Sequence, residues 1–182
     1  MKVFKDIFSN DEMFTDSYKI KIVDDVVYEV YGKHISRREG EVILAGSNPS
    51  AEEADEGTDE GVQSGIDIVL NQRLEENFAF QDKKVFTGYL KDYMKRLVAK
   101  LQETNPEQVD VFKTNIQKFT KENRFFLFKC FLLLKNFSDL KFYTGESMDT
   151  DAGLGILDYK EIEGEEFPVM YFFKHGLVEE KY

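Results

Sequence analysis

The spacing of apolar and polar residues changes period twice along this chain. From Tyr18 to Ile22 apolar and basic residues alternate, which is the period of a half-buried strand. Asp24-Asp25 interrupts the alternation, and Val26 to Tyr31 resumes with β-branched and aromatic residues before Gly32. This predicts a hairpin. Another apolar run follows at Ile66 to Leu70.

The period then lengthens. Phe86, Tyr89, Leu90, Tyr93, Met94, Leu97 and Leu101 recur at helical spacing, with Lys84, Lys91, Lys95 and Lys100 mainly on the opposite side. At Asn105-Pro106-Glu107-Gln108 the pattern restarts: Asn105 suits a helix cap, Pro106 the first helical position and Gln108 a capping box. Val109, Phe112, Ile116 and Phe119 continue it, so an antiparallel helical hairpin is predicted over about residues 83–136. Its last part holds the apolar run Phe125 to Leu134, ten residues with Lys129 inside. A membrane span needs about 20, so a buried core helix is the better reading. Unbroken from Pro106 to Asn136, the second helix would reach about 46 Å, longer than the first, which predicts a bend or an end near Asn123.

The final third returns to strands. Leu140 to Thr144 is short and aromatic. Ile156 to Ile162, a Glu163-Gly164 turn and Phe167 to Lys174 read as a further hairpin, with Pro168 pointing to an edge strand. Strands, two helices and strands again predict one α+β domain over residues 1–182, a mostly antiparallel sheet carrying the hairpin.

One stretch breaks the pattern altogether. Gly46 to Gly65 holds six carboxylates, four glycines, one proline and no basic residue. Too little apolar surface is available there to offset the entropy of ordering, so a long mobile acidic loop is expected over about 39–65. The net charge of −11 also resides here. Glu39 to Gln72 contains nine acids and no Lys or Arg, and removing those nine from 35 leaves 26 acids against 24 bases. A nearly neutral remainder argues against DNA binding, which wants a basic surface to displace counterions. The single cysteine, Cys130, excludes an intrachain disulfide and a multi-thiolate zinc site. No secretory leader is visible in the first residues, so a cytoplasmic location is expected, with a nuclear pool or non-classical export as alternatives.

Catalytic chemistry is sparse. His34 and His175 read as structural histidines, and there is no nucleophile elbow or P-loop. Asp149-Thr-Asp151-Ala-Gly153 opens like an EF-hand loop, but the sixth position is Leu154 and the twelfth Lys160. The remaining candidates are an irregular calcium site from Glu146, Asp149 and Asp151, or solvated carboxylates with no site at all.

Two stretches carry a specific likeness. Ala45 to Asp55, AGSNPSAEEAD, resembles the first signature of the translationally controlled tumour protein (TCTP) family. Phe137 to Tyr159, with the Phe142 to Glu146 core, resembles the second. The resemblance covers nearly the whole chain. The segment around Lys121 to Cys130 reads as about three helical turns longer than the family's spacing.

The resemblance implies an Mss4-like fold with a projecting hairpin and a long loop, closed here without zinc. It also implies weak Ca2+ binding, tubulin and microtubule association, contact with a translation elongation factor and with anti-apoptotic Bcl-family proteins, and growth control through a Rheb-type small GTPase. Glu12 matches the family residue tied to the GTPase, in Asp11-Glu12-Met13-Phe14, where exposed apolar neighbours are expected to flank it. Lys91, Lys95, Arg96 and Lys100 are the candidate tubulin face. A non-catalytic regulatory interaction protein results; the alternative is a chaperone-like or cation-buffering protein without a GTPase role.

Overall fold

The computed structural model describes residues 1–38, 41–44, 62–121 and 137–182. Every strand ladder among them is antiparallel, and the strands form three sheets.

The largest sheet has six strands in the order β3–β4–β11–β10–β9–β8. β3 (Lys19–Val23) and β4 (Val27–Tyr31) form the first expected hairpin. Its turn places Asp24 and Asp25 at φ of 51° and 58°, the left-handed pair that matches strand twist. β10 (Gly155–Ile162) and β11 (Glu165–Phe173) form the second, through Glu163 and Gly164 at φ of 55° and 86°. β9 (Lys141–Thr144) and the two-residue β8 (Glu75–Glu76) complete one edge.

Pro168 does not mark an edge strand. β11 lies between β10 and β4, but pairing with β4 begins only at Val169 opposite Tyr31. The Pro168 carbonyl accepts from Gly32 N–H at 2.9 Å, so the side of the strand lacking a donor faces the chain as it leaves β4. The proline sits where the second ladder has ended, which removes the penalty for a central strand.

A three-stranded sheet joins β12 (Leu177–Lys181), β1 (Lys2–Asp6) and β2 (Glu12–Thr15). The other joins β6 (Glu41–Leu44), β5 (His34–Arg38) and β7 (Val62–Ile66). Here the expected 39–65 loop is narrowed: residues 41–44 and 62–65 are ladder strands on either side of β5, and 45–61 lie outside the described residues. Gln63, Ser64 and Gly65 carry no strand signal of their own; pairing with Ser36 and its neighbours imposes the extended form.

The helical hairpin is formed by α2 (Lys83–Thr104) and α3 (Pro106–Lys121), joined by Asn105 alone. Asp82 caps α2, its Oδ1 accepting from Lys84 and Val85 N–H. Residues 122–136, including Cys130 and the apolar run, lie outside the described set. Among described residues no helix is long and apolar enough to cross a membrane.

Alternate residues of β11 serve opposite faces of the large sheet. Val169 and Tyr171 join Val26, Val27, Phe142, Ile156 and the α2 residue Phe86. Met170 and Phe172 join Phe4, Met13, Phe14 and Val30, together with Ile68 of the short helix α1 (Asp67–Gln72). A third cluster holds α2 to α3 through Tyr93, Leu97, Leu101, Val109 and Phe112. Two polar ties fix the hairpin on the sheet: Tyr89 O–H donates to the Ala152 carbonyl at 2.6 Å, and Asn115 donates to Asp25 at 3.1 Å.

Candidate functional site

The residues between β1 and β2 and those between β9 and β10 meet at one rim of the molecule. In the first segment Asp6 closes a turn on itself. Its Oδ1 accepts from Phe8 N–H and Ser9 N–H, both at 2.9 Å, and its backbone N–H donates to the Asp11 carbonyl at 2.8 Å. Asn10 takes the left-handed conformation this turn needs, at φ of 63°. The other Asp6 oxygen accepts Gly153 N–H at 2.8 Å, which ties the turn to the second segment. Asp6 is 2% exposed, and burial raises its carboxyl above the usual range while the bonds from Ser9, Phe8 and Gly153 oppose that rise.

Asp11 makes a second tie. Ser147 O–H donates to its carboxylate at 2.5 Å, and Ser147 N–H approaches the same group at 3.3 Å. Any Cβ at Gly145 would collide with the Asp11 side chain, so only glycine allows this approach. Next to Ser147, Glu146 pairs with Arg73 at 2.8 Å, and Met148 is exposed at φ of 56°.

Glu12 owes its position to an irregularity in β2. Val3 pairs with Thr15 and Phe4 with Phe14, but Lys5 then pairs with Glu12, leaving Met13 as the extra residue of a bulge. In an unbroken strand Glu12 would share a face with Phe14. The bulge turns Glu12 to solvent and allows both Met13 and Phe14 into the core. These two are 1% and 0% exposed, which corrects the expectation that they flank Glu12 as exposed side chains. The exposed apolar residue of the rim is Met148. Lys5, opposite Glu12, is held by Glu180 at 2.8 Å and by the Tyr182 hydroxyl. Glu12 therefore has no side-chain ion pair or hydrogen bond among the described residues.

The calcium candidates are not brought together. Glu146 is paired with Arg73, Asp151 lies 3.8 Å from Arg96, and Asp149 accepts from Asp151 N–H at 2.9 Å. Among the described residues no three His, Cys, Asp or Glu side chains converge on a metal position.

Nor do the four candidate basic residues on α2, Lys91, Lys95, Arg96 and Lys100, share a face. At about 100° per residue, Lys91 and Lys95 lie within about 40° of each other, with Lys84 between them in angle. Arg96 and Lys100 lie about 140° round the helix. Lys91 and Lys95 are exposed; Arg96 lies over the Phe8 ring, 5.5 Å from its centroid, beside Asp151.

Sequence reasoning missed Asp6, Asp11, Gly145, Ser147 and Gly153 as members of one constellation. A local signal existed for the first: an aspartate followed by a serine three residues on is an Asx-type turn pattern. The tie across 147 residues from Asp6 to Gly153 has no local signal.

Three antiparallel sheets bearing one helical hairpin form an α+β domain of Mss4-like fold. The family profile described as translationally controlled tumour protein matches residues 1–178. A translationally-controlled tumor protein homolog of Drosophila pseudoobscura pseudoobscura is 60% identical over 181 residues, covering 100% of this chain and 99% of that protein. A homolog of Aedes albopictus is 58% identical over 182 residues, covering all of both. The structure of the tumor-associated protein p23fyp of Schizosaccharomyces pombe superposes with a TM-score of 0.70 at 42% identity, with 100% of each chain covered. That of the Caenorhabditis elegans protein gives 0.69 at 40%, covering 100% of this chain and 99% of that one. The chain belongs to the translationally controlled tumour protein family, a family of regulatory proteins and not of classical enzymes. The segment around Lys121 to Cys130, read from the sequence as longer than the family's spacing, lies outside the described residues from residue 122 onward.

Proposed function

We propose that the chain is a growth-regulatory interaction protein that loosens nucleotide on a Rheb-type small GTPase through the rim bearing Glu12. The observation that carries this reading is the bulge at Met13. The bulge re-aims one carboxylate, setting Glu12, which has no side-chain partner among the described residues, outward on a strand whose next two residues are anchored in the core. A rigid base lets a carboxylate enter a nucleotide site without losing further side-chain and backbone freedom on binding. There it would compete with phosphate for the P-loop lysine and disturb the magnesium ion.

The test is the rate of nucleotide release from the GTPase with wild-type protein and with Glu12→Ala. Loss of the acceleration in the variant supports the reading, and an unchanged acceleration removes it. A tubulin contact would rest on the stripe of Lys84, Lys91 and Lys95, because Arg96 and Lys100 turn away from it.

A further inference from the structure

We propose that Ser147 is a phosphorylation site for an acidic-directed serine/threonine kinase, and that its phosphate opens the clasp between the Asp6–Asp11 turn and the Gly145–Gly153 loop. The site and the opening stand on the geometry alone; the consequence for Glu12 rests on the function proposed above.

Ser147 is exposed, and its hydroxyl is the donor that joins the two segments at Asp11. The residues around it read Glu146-Ser147-Met148-Asp149-Thr150-Asp151, and no Lys or Arg occurs between Lys141 and Lys160. A kinase that recognises carboxylates after its target serine finds them here two and four residues on. The loop is open to such a partner: it contains no helix or strand, and its internal backbone bonds are the short links Met148 N–H to Gly145 and Ala152 N–H to Asp149.

The chemistry balances with ATP as the phosphoryl donor. Ser147 Oγ forms a bond to the γ-phosphorus as the bond to the ADP oxygen breaks, and the hydroxyl proton passes to the kinase's catalytic carboxylate. Two effects on the clasp follow. The O–H donor is gone, and a group carrying about −1.5 to −2 charge now stands where Asp11 accepted it, with Glu12 and Glu146 close by in sequence. Like charge at hydrogen-bond distance drives the two segments apart. Arg73, already held by Glu146, is the cation placed to receive the phosphate, since a guanidinium binds phosphate by two parallel bonds. Modification of the neighbouring Thr150 would leave Asp11 and its donor in place.

The experiment treats the full chain with an acidic-directed serine/threonine kinase and magnesium ATP, locates phosphate by peptide mass spectrometry, and compares amide spectra. The expected result is one phosphoryl group on Ser147, absent in Ser147→Ala and retained in Thr150→Ala, with shifted amides at Asp11, Glu12, Ser147 and Gly153. Failure of phosphate to reach Ser147 overturns the proposal. So does phosphorylated Ser147 with the Asp11, Glu12 and Gly153 amides unmoved. Nucleotide release measured on the same samples separates the two claims: a clasp that opens without any Glu12 effect on release defeats the function proposed above and leaves the switch standing.

Discussion

The carboxylate of Asp6 and the backbone N–H of Gly153, 147 residues apart, meet at 2.8 Å in the buried layer beneath the rim. One oxygen of Asp6 caps its own turn and the other holds the second loop, so this side chain, alongside the Asp11–Ser147 contact, ties together the two segments bearing on Glu12. Replacing it orphans buried N–H donors. Asp6→Ala is expected to cost about 1–3 kcal/mol, the range for leaving such groups unsatisfied, read as a lower urea midpoint. In wild-type protein the Asp6 carboxyl is expected to titrate above the ordinary value near 4. Because the folded-state value is raised, this group's contribution to stability is present at low pH and is lost as pH rises through the folded value.

The bulge makes a sharp prediction for neighbouring residues. Phe14→Ala should cost about 3–5 kcal/mol and Met13→Ala about 2–5 kcal/mol, since both fill the core. Glu12→Ala should change stability by no more than about 0.5 kcal/mol. Thermal melts of the three variants check it; a Met13→Ala melt equal to wild type would mean that Met13 is not a core residue.

Gly145 and Asp11 are expected to be coupled. Gly145→Ala drives a methyl group into the Asp11 side chain and should destabilise by about 1–3 kcal/mol. In an Asp11→Gly background much of that loss should vanish, because the three atoms nearest the new methyl group are Oδ2, Cβ and Cγ of Asp11. A double-mutant cycle gives the interaction directly, and strict additivity would contradict the contact.

His175 sets a pH dependence on the acid side. It is 8% exposed against Phe112 of α3, with Nδ1 lacking a partner among the described residues, and burial lowers its pKa from the usual value. Asp25 opposes that shift and Lys174 adds to it. A depressed folded value means that this contribution is fully present above about 6.5, the unfolded value, and is lost as pH falls through the folded one. Urea midpoints should therefore drop between pH 7.5 and 5, and His175→Phe should flatten that part of the curve.

Much of this fold was legible in the sequence, and particular residues show where legibility stopped. The alternation at Tyr18–Ile22 became β3, although it leaves Ile22 exposed, and the helical spacing from Phe86 to Leu101 became the buried side of α2, where local period and burial agree. The same reasoning failed at Pro168, whose tolerance depends on where a neighbouring strand ends, and at Met13, where a bulge breaks the alternation on which the reading depends. Strands β6 and β7 were hidden for a related reason: the acidic composition between them predicts a loop, while their pairing is supplied by β5. At the rim, Glu12 was reached through family likeness. Its supports, Asp6, Asp11, Gly145, Ser147 and Gly153, come together only in three dimensions.

The central claim, that the rim bearing Glu12 is the surface this regulatory protein offers to a small GTPase, is tested most directly by its footprint. Isotope-labelled protein is titrated with a GDP-bound Rheb-type GTPase and followed by amide NMR. The account predicts saturable shifts at Asp11, Glu12, Ser147 and Met148, lost in Glu12→Ala. Shifts centred on Lys84, Lys91 and Lys95 of α2, with the rim unmoved, would contradict it.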